Sequence, residues 1–124
     1  MGTPSVRDQL RRALGDALKS RDMVAVSALR SALGAIDNAT AVPAEPVAAA
    51  SASSPHIAGA PAGLGATETK RRRLSDDDVS AIVRAEVTER EAAACDYERA
   101  GHADRAGRLR READILAAAL AVEP

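Results

Sequence analysis

Glu86 and Arg90 stand four residues apart with the acid first, the order and spacing that bring a carboxylate and a guanidinium together on one helix face. Val83 precedes them and Tyr97 follows on the same face, so the pair belongs to an apolar side rather than a solvated one. Two chemistries fit: a partly buried ion pair that fixes helix register, or a charge pair turned toward a ligand. Arg30, at the edge of an earlier apolar face, and Glu112, further along the chain, are positioned to join the same structural charge cluster. A second pattern is basic. Arg105, Arg108 and Arg111 recur every third residue, a ribbon along the solvent side of a helix, with Arg110 on another side. Such a ribbon can hold phosphates, or it can be a solvated face balanced by Asp104, Glu112 and Asp114. Lys70, Arg71, Arg72 and Arg73 form a contiguous positive run, readable as a nucleic-acid tether or as solvated charge.

No catalytic group, metal site or cofactor is expected. Cys95 lies among alanines with no histidine near it in sequence, which suits inert packing better than a nucleophile. His56 and His102 are too far apart in sequence and context to make a ligand set with it. Neither a glycine-rich phosphate loop nor a G-x-S-x-G elbow is present.

The elements that must position these side chains are helical. The chain has 124 residues, 46% apolar and 28% charged. Alanine contributes 30 residues, against 23 Val, Ile and Leu, one Tyr, and no Phe or Trp. Sheets lean on aromatic and β-branched residues, whereas Ala, Leu, Arg and Glu favour helices, so an all-β fold is excluded and a single all-α domain expected. A single cysteine cannot form an internal disulfide, and the charged start around Arg7, Asp8, Arg11 and Arg12 has no signal-peptide core, which together indicate a reducing cytoplasm.

Three segments follow. Residues 4–40 read as a helical hairpin: Val6, Leu10, Ala13, Leu14 and Ala17 line the first helix, with Pro4 in its first turn. Asp22 caps the second, which buries Val26, Leu29, Leu33 and Ile36. Residues 41–73 read as a disordered Ala/Pro-rich linker ending in the basic run; four of the six prolines fall there. Its uncharged run from Pro46 to Thr67 is broken by proline and glycine, so no membrane span is expected. Residues 74–122 read as a second hairpin. It opens on a Ser75/Asp78 capping box, buries Val79, Ile82, Val83, Ala93, Ala94 and Tyr97, and turns at Gly101. The last helix follows with Leu109, Ala113, Leu116 and Leu120 inward. Two antiparallel hairpins docking across the linker make a small four-helix bundle, whose thin core is compatible with a homo-oligomer or a partner-stabilised fold. Charge is uneven: residues 74–124 carry seven basic and twelve acidic groups, while residues 1–40 carry six and four. A nucleic-acid surface therefore requires the basic blocks to converge.

Two stretches resemble the YqeY family, small bacterial proteins similar to the C-terminal region of the B subunit of tRNA-dependent amidotransferases. Ala17-Leu18-Lys19-Ser20-Arg21-Asp22 with the run from Ser27 to Asn38 resembles its first hairpin. Leu74-Ser75-Asp76-Asp77-Asp78-Val79, Glu86 with Arg90, Tyr97-Glu98-Arg99-Ala100-Gly101, and the segment from Glu112 to Leu120 resemble its second. The family's further small helical tail has no counterpart before Pro124. The resemblance implies an all-helical, noncatalytic accessory module related to a glutamine-dependent carbon–nitrogen ligase, in contact with tRNA or a tRNA-handling enzyme such as the amidotransferase. The alternative is a helical protein-interaction module without RNA.

Overall fold

In a computed structural model that describes residues 4–41 and 73–121, the chain forms four helices and no strand among those residues. They are α1 (Val6–Ser20), α2 (Met23–Ala41), α3 (Asp76–Arg99) and α4 (Ala103–Leu120). Residues 42–72, where a disordered linker is expected, lie outside the described residues; α2 itself runs to Ala41, the first residue assigned to that linker. The helices separate into two compact units, Met1–Ile36 with Ser75–Pro124 and Asp37–Leu74. The first is the all-α bundle. The second contains the last residues of α2 and, at its other end, Arg73 and Leu74.

Local chemistry sets the helix starts. The Ser5 hydroxyl accepts from the Asp8 N–H at 3.0 Å, so Ser5 is the cap of α1 and Pro4 stands one residue outside the first turn instead of within it. At α3 the capping box is complete: Ser75 Oγ accepts from the Asp78 N–H and Asp78 Oδ2 accepts from the Ser75 N–H, both at 3.1 Å. Asp76 Oδ1 also accepts from the Val6 N–H at 3.2 Å, which sets the first turns of α1 and α3 side by side. At 1.5 Å per residue α1 is then about 22 Å long and α3 about 36 Å, so the α3–α4 hairpin projects past the α1–α2 turn. Burial follows the same step: between Glu91 and Arg105 only Ala94 is buried.

The two turns are built alike. Arg21 is left-handed (φ 59°, ψ 35°), its N–H donates to Leu18 O at 3.2 Å, and the Asp22 N–H returns to Ala17 O at 3.0 Å. Gly101 repeats this with φ 88°: its N–H donates to Glu98 O at 3.0 Å and the His102 N–H to Tyr97 O at 2.8 Å. A Cβ costs energy in this conformation, and only one of the two residues lacks it. Arg21→Gly is therefore expected to raise stability by a few tenths to about 1 kcal/mol. Gly101→Ala should lower it by about 1 kcal/mol through the backbone alone, because nothing lies within 4 Å of the added Cβ. Urea midpoints of the two variants moving in the same direction would contradict this.

The core is an alanine core. Among the described residues Leu10, Leu29, Ile36, Leu116, Val26 and Val83 are the large side chains that are fully buried, and Ala28, Ala32, Ala94, Ala106 and Ala113 fill the seams between them. Leu14, Leu33, Leu109 and Leu120, expected inside, are half-buried. Small seam residues bring the helix axes close, and close axes push longer side chains toward the rim.

A buried charge network and a candidate nucleic-acid interface

Arg90 is the hub of the network. Its Nη1 donates to Glu86 Oε1 at 2.8 Å and to the Glu86 carbonyl at 3.2 Å, while its Nε donates to Glu112 Oε1 at 2.9 Å. One guanidinium thus joins two helical turns of α3 and reaches across to α4. Ser31 of α2 adds a third helix, its hydroxyl donating to Glu86 Oε1 at 3.1 Å. The side chains of Arg90, Glu86 and Glu112 are 13%, 18% and 11% exposed, dry enough for each carboxylate to depend on the cation. Burial alone would lower the Arg90 pKa, but the hydrogen bonds and charges of Glu86 and Glu112 outweigh it and hold the group above its ordinary value. Arg30 is not part of this cluster. It is exposed on α2, and Ser31, its neighbour in sequence, occupies the place facing Glu86.

Arg105, Arg108 and Arg111 are all exposed along α4. Each already has a neighbour. Arg105 lies over the Tyr97 ring, 5.4 Å from its centroid, with Nη1 3.4 Å from the phenol oxygen. The His102 ring meets Tyr97 edge-on at 6.0 Å. Arg108 approaches the outer oxygen of Glu112 at 3.7 Å, so the ribbon touches the rim of the buried network. Arg111 donates to Asp22 Oδ2 at 2.7 Å, across 89 residues of sequence. Asp22 has a second task, because its Oδ1 accepts from the Ala25 N–H at 3.2 Å and caps α2. The ion pair therefore joins the α1–α2 turn, which carries Lys19 and Arg21, to the turn of α4 that carries Arg108 and Arg111. Arg110, on another side, pairs with Glu98 at 2.7 Å, and that hydrogen bond holds the Glu98 carboxyl below its usual range.

Arg73 is exposed; Lys70, Arg71 and Arg72 lie outside the described residues. Sequence reasoning passed over Ser31 as a donor and Asp22 as the acceptor of Arg111, and took Tyr97 as apolar packing rather than as the floor beneath Arg105. Periodicity carries no signal for pairs that meet only through the tertiary fold. Among the described residues no three His, Cys, Asp or Glu side chains gather as a metal site, and no helix is long and apolar enough to cross a membrane. Compared with known proteins, the chain matches no family model, no curated protein and no solved structure.

Proposed function

We propose that this chain is a noncatalytic helical accessory module of the YqeY kind that holds tRNA at the corner where the α1–α2 turn meets α4. The Arg111–Asp22 contact carries this reading, because it makes two basic blocks that are remote in sequence converge. Lys19 and Arg21 flank Asp22 in sequence, and Arg105 and Arg108 stand on the same helix as Arg111; all five cations are exposed. Arg111 is 55% and Asp22 29% exposed, and an ion pair that wet contributes at most about 1 kcal/mol, so Arg111 can exchange the carboxylate for a phosphate at little cost. Arg105, over the Tyr97 ring, offers a guanidinium beside an aromatic group, a pairing suited to a phosphate and an unstacked base. Positioning, not reaction, is the role these groups can serve.

The corner also favours a second reading. Leu18 and Met23, on either side of the same turn, are 45% and 60% exposed, as a helical protein-interaction module without RNA would have them. An electrophoretic shift with purified tRNA at low salt separates the two. Retarded RNA at tens of micromolar protein is expected, and its loss when Arg105, Arg108 and Arg111 are replaced together by Ala. No retardation removes the RNA reading; retardation unchanged in the triple variant removes the ribbon from it.

A further inference from the structure

We infer that the outward face of α3 is a docking surface for a second copy of this chain, paired antiparallel about Thr88. This surface is distinct from the corner proposed to bind RNA and does not depend on that reading. Asp77, Arg84, Thr88, Glu91 and Arg99 recur at helical spacing opposite the buried side of α3, and all are exposed. The side chains of Asp77, Arg84 and Glu91 make no hydrogen bond or ion pair within the described residues, whereas Arg99 is held by Asp96. The order of signs along the face is negative, positive, negative, positive.

That order is self-complementary only when reversed. A two-fold axis through Thr88 sets residue 88−n of one copy against residue 88+n of the other. Asp77 of one copy then faces Arg99 of the other, and Arg84 faces the turn that carries Glu91, each contact occurring twice. Parallel pairing in register would instead set like charges on like. The residues between the charges, Ala81, Ala85 and Ala92, leave the backbone accessible to a close helix. The face continues onto α4 through a shallow depression of about 410 Å³ bordered by Arg84, Val87, Thr88, Leu120 and two alanines, which supplies apolar area beside the charges. From Asp77 to Arg99 the face is about 33 Å long and one helix wide, so the buried total falls below about 1,200 Å². The dimer is consequently weak and reversible.

Charge exchange at the two exposed positions tests both partner and register. Sedimentation of the full chain at low salt, over tens to hundreds of micromolar, is expected to show concentration-dependent dimer. Arg84→Glu alone and Glu91→Arg alone should each sediment as monomer, since each self-pairing sets like charges together twice. An equimolar mixture of the two variants should dimerise at least as well as the unaltered chain, because both contacts become attractive. Helical circular dichroism of each variant alone confirms folding. A monomeric unaltered chain at hundreds of micromolar, single variants that dimerise normally, or a mixture that stays monomeric would each overturn the inference.

Discussion

Replacing Arg90 with alanine is expected to destabilise the folded chain by about 3 kcal/mol or more, among the largest losses any single charged residue here can produce. The contact itself is not what makes the loss large. Without Arg90, the carboxylates of Glu86 and Glu112, 18% and 11% exposed in the intact chain, lose the cation that bridges them; Ser31 supplies one donor to Glu86, and Arg108, itself 61% exposed, stays 3.7 Å from the outer oxygen of Glu112. Glu98→Gln provides the reference: that carboxylate lies on the surface, and its loss should leave stability nearly unchanged. The triple variant Glu86→Gln, Arg90→Met, Glu112→Gln should recover most of the single-variant loss, because no buried charge is then left unpaired. Urea denaturation followed by circular dichroism reads all three. Coincident midpoints for Arg90→Ala and Glu98→Gln would mean that the hub is solvated.

Leu116→Ala should have a comparable effect for a different reason. Leu116 is 0% exposed and one of six fully buried large side chains among the described residues, so its removal leaves a void that alanine neighbours cannot fill by swinging inward. A loss of about 3 kcal/mol is expected, a large share of the roughly 5–15 kcal/mol that holds small domains together. Leu18→Ala, at a 45% exposed position, should cost less than about 0.5 kcal/mol. Thermal melts of the two variants separate the cases, and equal melting temperatures would show that α4 does not bury the stripe that contains Leu116.

The helices and their ends were legible because they depend on neighbours in sequence. Ser75 and Asp78 form their box, Gly101 ends α3, and Asp22 caps α2, each through groups no more than a few residues away. Arg21 is the exception among the turns. It takes the same left-handed position as Gly101, but its residue type gives no hint of that, and the Schellman hydrogen bonds from Arg21 and Asp22 impose it. Inward faces were legible in direction but not in depth: Leu116 is fully buried while Leu109 and Leu120, on the same predicted stripe, are half-buried. An apolar period states which way a side chain points, not how near the next helix stands.

The charge cluster divides along the same line. Glu86 and Arg90 meet as their spacing requires, since an i, i+4 contact is built into the helix. Glu112 joins them through the docking of α4, and Arg30 is left outside because Ser31 is the α2 residue that faces Glu86. At the basic corner, only Arg108 has a partner that local spacing gives, Glu112 four residues on; Tyr97 lies eight residues before Arg105, and Asp22 lies in another hairpin from Arg111. The contact that brings Asp22 to Arg111 is a property of the fold, which no spacing along the chain encodes.

The salt dependence of tRNA affinity is the most direct test of that surface. Each phosphate neutralised adds about 0.7 to 0.9 to the negative slope of log affinity against log salt concentration. The unaltered chain should show a slope of about −3 or steeper, and the variant lacking Arg105, Arg108 and Arg111 a slope shallower by about two. A flat dependence in the unaltered chain, or identical slopes for the two proteins, would contradict RNA binding at the α1–α2 and α4 corner.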